Sequence, residues 1–135
     1  MAGVSFGRIR EQDFGNFQDP DKTLQCKKDR YKFGSFYYRF PDGGESCADV
    51  YDRVCGFLDT LKRHWTQHTN INNYVLVVHG LTISALLFKL CGYSIDDFYT
   101  FKNFTNGEFC VLEKTLNTAH PRLHLNQTKS QTPEP

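Results

Sequence analysis

The chain has 135 residues, 16 Lys and Arg against 15 Asp and Glu, and a formal net charge of +1. That length fits one domain, and so even a charge balance supplies no long-range field to gather nucleic acid or an anionic membrane. With 39% hydrophobic and 15% aromatic residues, the composition is that of a folded chain and excludes a disordered one.

Taken in chain order, Arg8 to Phe17 carries acids followed by a glycine, Gly15, that permits a close backbone turn. Thr23 to Phe33 is charged, with Leu24 and Tyr31 on one narrow stripe, and predicts a short helix that Gly34 breaks. Its basic residues Lys27, Lys28, Arg30 and Lys32, like Lys62 and Arg63 further on, read as a solvated face. Phe36 to Phe40 is an aromatic loop closed by the turn residues Pro41-Asp42-Gly43-Gly44. Ser46 then caps an amphipathic helix whose buried face is marked by Tyr51, Val54, Leu58, Leu61 and Trp65, and which ends before Asn70.

Tyr74-Val75-Leu76-Val77-Val78 is a continuous apolar run, as expected of a central strand buried on both faces of a parallel sheet. His79 and Gly80 follow it directly, and Leu81 to Leu90 resumes a helical pattern stopped by Cys91-Gly92. His79 thus occupies the carboxyl end of a strand and the start of a helix, where α/β sheets place anionic ligands; a histidine satisfied by a neighbouring backbone group is the alternative. Ser94 and Asp97 form a capping box for a short helix through about Phe101, and Glu108 to Glu113 alternates like a strand. The polar segment 119–135 is expected to be a disordered tail beyond a domain spanning 1–118.

Five cysteines with no C-x-x-C spacing make neither a disulfide framework nor a zinc site, and reduced thiols are expected. The start, MAGVSFGRIR, has no apolar leader, and the longest apolar stretches are far too short to cross a bilayer, so the cytosol is the expected compartment. His64 and His68 stand four apart on one helix, a spacing open to metal but better explained as an exposed helix end. Neither metal nor any other cofactor is implied. Glu11, read alone, is a surface carboxylate or a proton donor; an acid serves phosphoryl transfer by protonating the departing alkoxide.

Several blocks now stand in order: Arg10-Glu11-Gln12-Asp13-Phe14-Gly15-Asn16-Phe17-Gln18; Phe36-Tyr37-Tyr38-Arg39-Phe40-Pro41 with Gly44-Glu45-Ser46; Ala48 to Val54; and Val78-His79-Gly80-Leu81-Thr82. In order and spacing they resemble the phosphoglycerate-mutase-like histidine phosphatases, above all the small phosphatase-like members of plants and fungi, from about Arg8 to Glu113. The resemblance implies an α/β fold with a three-layer parallel sheet. It implies Glu11 as the acid/base group, His79 as the second, phosphate-binding histidine, and Gly80 as the residue that lets the chain turn at the phosphate. Glu45 and Ser46 match a block on the substrate side. Arg39 and Arg53 also match block positions, and structural ion pairing is the reading preferred for both. Phosphorylated small molecules are the implied partners, with hydrolysis favoured over mutase chemistry.

The departure from the family is equally informative. Its nucleophilic histidine lies in an Arg-His-Gly block, which these 135 residues lack. The first strand that carries it would precede Met1, so the chain is expected to be N-terminally truncated, inactive alone, and prone to self-association through exposed sheet edges beside Tyr74 to Val78. A non-catalytic phosphate-binding or interaction module, a pseudophosphatase, is the alternative.

Overall fold

Val50, Val54, Phe57, Leu58 and Leu61 recur at three- and four-residue intervals along Cys47–Gln67 (α2), and all five are buried. They meet Ala85 and Leu86 of Gly80–Cys91 (α3), and Ile9, Tyr51, Tyr74, Val78, Leu81 and Leu90 pack around the seam. The computed structural model describes residues 6–15, 20–71, 73–101, 104–114 and 123–127. In those residues a 3-10 turn at Gly7–Ile9 precedes Pro20–Phe33 (α1), and Ile95–Thr100 (α4) follows α3. Cys110–Lys114 (β1) and Leu123–Gln127 (β2) pair antiparallel, with Leu112 opposite Leu125.

The helix ends follow the side chains that satisfy them. At α2 the Ser46 hydroxyl accepts from the Asp49 amide (3.2 Å) while the Asp49 carboxylate accepts from the Ser46 amide (2.7 Å), a reciprocal cap. Ser94 and Asp97 repeat the arrangement at α4. Gly92 ends α3 in the left-handed region (φ 71°), where its amide reaches the Phe88 carbonyl. α1 is longer than expected, and its stripe residues Leu24 and Tyr31 face solvent, whereas Cys26 is buried. An aromatic cluster joins the 36–40 loop to α4 and α3: Phe36 meets Phe98 edge-on at 5.1 Å, and Phe98 meets Phe88 at 5.7 Å.

Two expectations differ from what is observed. Tyr74 to Val78 has no strand partner among the described residues, and the parallel sheet that the run was expected to join is not seen there; the sheet that is seen has two strands. A strand is completed by the backbone groups of its neighbours, and the described residues supply none at this edge. Tyr74 and Val78 turn inward onto the helical core, while Val75 is 77% and Val77 91% exposed. The second difference is β2, which lies inside the expected tail. Leu123 and Leu125 alternate with His124 and Asn126 there, a period-two pattern set in an otherwise polar stretch.

The α2–α3 seam is the principal core, and Phe57 is nearly inaccessible at its centre. Phe57→Ala is expected to cost about 3–5 kcal/mol of unfolding free energy, read as a lower urea midpoint in circular dichroism with an unchanged slope.

Candidate functional site

Glu45 organises the region that joins the Glu11 segment to the entry of α2. Its Oε1 accepts from Arg10 Nη2 (2.8 Å) and Arg53 Nε (3.0 Å), and its Oε2 from Arg53 Nη2 (3.1 Å) and the Asp13 amide (3.0 Å). The Glu45 amide in turn donates to the Asp13 carbonyl at 2.7 Å, and the buried Gln12 amide group donates to the Glu45 carbonyl at 2.9 Å. The segment before Gly15 is thereby sewn to the entry of α2. Arg53 and Glu45 are well covered, with side-chain exposures of 12% and 13%, whereas Arg10 is 53% exposed.

Two glycines permit this approach. Gly15 has φ +64°, and a Cβ there would stand 2.0 Å from the Pro41 carbonyl oxygen. A Cβ on Gly44 would stand 2.6 Å from that of Phe40 and 3.0 Å from the Gly15 nitrogen. No side chain fits at either place.

Glu11 lies on this sewn segment. Its Oε1 accepts from the Gln12 amide at 2.9 Å, and its carbonyl accepts from Arg53 Nη2 at 3.1 Å. His79 is exposed at the N-cap position of α3; its carbonyl accepts from the Ile83 amide, and its ring makes no capping hydrogen bond. The two elements are tied by Thr82, whose hydroxyl donates to the Arg10 carbonyl at 3.2 Å. Gly80 opens α3, and a Cβ there would meet the Phe104 carbonyl oxygen at 3.6 Å, an ordinary contact. Neither crowding nor a left-handed backbone requires glycine at that position.

The Ser46 hydroxyl is engaged in the α2 cap, and both Glu45 oxygens are taken by arginines and an amide. Arg39 pairs with Asp49 and Arg53 with Glu45, the ion pairing expected of both. Sequence reasoning missed a second role of Arg53, its hold on the carbonyls of Arg8 and Glu11, because a backbone acceptor carries no sequence signal.

Burial pushes the Glu45 carboxyl upward, but the Arg53 hydrogen bond, the Asp13 amide and the charges of Arg53 and Arg10 outweigh it and hold the group below the usual range. At Asp49 burial is likewise overcome, by Ser46 and by Arg39. Tyr38 goes the other way: burial and its hydrogen bond with Cys26 push the phenol up to about 12. Burial also raises the Cys47 thiol to about 11, as suits an inert thiol, and all five cysteines are unpaired.

No cluster of metal-binding side chains occurs among the described residues. His64 and His68 stack at 4.1 Å, with His64 Nδ1 3.0 Å from the Tyr74 hydroxyl and His68 Nδ1 3.2 Å from the His64 carbonyl. No described helix is long and apolar enough to cross a membrane. A separate open hollow of about 440 Å³ is lined by Arg30, Tyr31, Gly34, Ser35 and Tyr99, none of them a candidate residue.

Compared with known families, residues 5–127 match the model of the histidine phosphatase superfamily (branch 1). The chain belongs to this superfamily. It is 46% identical over 112 residues to the phosphoglycerate mutase-like protein AT74H of Arabidopsis thaliana, an alignment covering 78% of this chain and 40% of the relative. It is 43% identical over 109 residues to the broad-range acid phosphatase DET1 of Saccharomyces cerevisiae, covering 78% of this chain and 32% of the relative. The chain therefore spans about two fifths or less of these relatives' lengths. Among solved structures, a mycobacterial glucosyl-3-phosphoglycerate phosphatase in complex with inorganic phosphate superposes with a TM-score of 0.67 at 21% identity, covering 90% of this chain and 61% of that one. That likeness establishes a phosphoglycerate-mutase-like α/β fold.

The depressed carboxylates fix the sign of the acid response. The unfolded chain takes up protons on Glu45 and Asp49 at higher pH than the folded one, so their contribution is fully present above the ordinary carboxylate range and is lost as pH falls through the folded values. Urea midpoints are expected to fall on acidification below about pH 4, and Glu45→Gln, which leaves Arg53 without its anion, is expected to cost on the order of 3 kcal/mol at pH 7 and to flatten part of that pH profile.

Proposed function

We propose that this chain is the C-terminal part of a histidine phosphatase that hydrolyses phosphomonoesters of small molecules through a phosphohistidine, and that it is inactive in isolation because an upstream segment supplies the nucleophile. In this reading Glu11 protonates the leaving oxygen and His79 binds the phosphate, beside the open first turn of α3 at Gly80. The tie between Thr82 and the Arg10 carbonyl carries the reading, because it joins the segment bearing Glu11 to the turn that follows His79. Glu45 and Ser46 then serve the phosphate side indirectly: Glu45 braces Arg10 and Arg53, and Ser46 fixes the start of α2.

Two observations support truncation: the relatives are more than twice as long as the aligned part, and Val75 and Val77 lie bare where a sheet would cover them. The lack of an Arg-His-Gly block in these 135 residues favours a second reading, a phosphate-binding pseudophosphatase.

Turnover separates the two. The first reading expects no hydrolysis of p-nitrophenyl phosphate by this chain alone, and a native product from the source heavier than 15.6 kDa, with an Arg-His-Gly block upstream and an acid-labile phosphohistidine that turns over at the catalytic rate. A native product beginning at Met1 without turnover would point to a pseudoenzyme or a nonfunctional remnant, and hydrolysis by the isolated chain that His79→Ala abolishes would refute the need for an upstream nucleophile. The bare edge further predicts self-association of the isolated chain. Light scattering should give a mass above the monomer, and Val75→Lys with Val77→Lys should return it toward 15.6 kDa.

A further inference from the structure

The segment from Arg8 to Asp13 is held by side chains rather than by a strand partner. Three of its carbonyls accept from side chains: that of Arg8 from Arg53 Nη1 (2.7 Å), that of Glu11 from Arg53 Nη2 (3.1 Å), and that of Arg10 from Thr82 Oγ1 (3.2 Å). One guanidinium on α2 thus bridges two carbonyls three residues apart, and a hydroxyl on α3 takes one of the two between them. Arg53 is itself fixed by Glu45 through two of its nitrogens, so the fork cannot swing without breaking a well-covered ion pair. Thr82 is fully buried, so its hydroxyl has no water to substitute for the Arg10 carbonyl.

We infer that Arg53 and Thr82 are positioning residues: together they clamp the backbone around Glu11 from two helices and set that carboxylate relative to His79. The inference rests on Glu11 and His79 belonging to one phosphate site. Neither clamp residue needs to touch a ligand. Arg53 sets the segment against α2, and Thr82 sets it against the helix that begins immediately after His79. An acid in phosphoryl transfer must be held within a fraction of an ångström of the leaving oxygen, and a Glu on an untethered loop would not be. The guanidinium is required for its fork: a lysine keeps the charge but cannot reach both carbonyls and the carboxylate at once.

The test uses the full chain, labelled for NMR, with Arg53→Lys, Thr82→Val and Thr82→Ser. In Arg53→Lys and Thr82→Val the Gln12 and Asp13 amides are expected to exchange roughly tenfold faster, with the α2 core amides of Val54 and Leu58 within about twofold of the parent. Thr82→Ser, which keeps the hydroxyl, restores protection. Titration with inorganic phosphate is expected to move the His79 ring and Glu11 carboxyl signals together in the parent and in Thr82→Ser. In Thr82→Val the His79 signal still moves, and the Glu11 signal no longer follows it. Unchanged protection of Gln12 and Asp13 in both Arg53→Lys and Thr82→Val overturns the clamp, as does a Glu11 signal that follows His79 undiminished in Thr82→Val. Phosphate that moves neither signal in the parent refutes the shared site, and with it the positioning role, even where the amide exchange is released as expected.

Discussion

The Arg53–Glu45 pair is the interaction on which the surrounding structure depends. Both side chains are largely removed from water, so removing either partner would leave the other's charge covered and uncompensated. Around that pair the chain closes a circuit: Glu45 binds the Asp13 amide and carbonyl, Arg53 binds the carbonyls of Arg8 and Glu11, and Ser46, next to Glu45, starts the longest helix. An uncompensated charge at either end would release several contacts at once, so the pair behaves as a single cooperative element. Its place between the α2 entry and the Glu11 segment makes local stability and the setting of that segment the same problem.

Much of the helical structure was legible because its determinants are local. Ser46 with Asp49, Ser94 with Asp97, and Gly92 each announce a helix end within four residues, and the buried face of α2 repeats at helical spacing. Tyr74 to Val78 was legible only as an apolar run. Whether such a run becomes a strand depends on distant backbone partners, which no local pattern specifies. The β2 strand escaped notice for the converse reason: two leucines in a polar stretch are too few to outweigh their composition, and pairing with Cys110–Lys114 decides the matter.

The candidate site was legible as residue types and illegible as an arrangement. Glu11, Glu45, Ser46, His79 and Gly80 stood out through blocks along the chain, yet the links among them run through atoms that a sequence does not display. Arg53 was expected to make a structural ion pair, and it also holds two carbonyls. Thr82 looked like part of a helix opening and proved to bridge 72 positions to Arg10. Backbone acceptors carry no sequence signature, because every residue has one.

The glycines at 15 and 44 have a consequence for how the chain can vary. Each occupies space that the other's surroundings deny to a side chain, so replacing either one alone drives atoms together, and replacing both compounds the collision. No order of single changes leads away from glycine at this crossing without passing through a damaged molecule. A survey of all substitutions would therefore score these two positions as severely as the buried core at Val50 and Val54, although their whole contribution is room for two stretches of backbone to lie against each other.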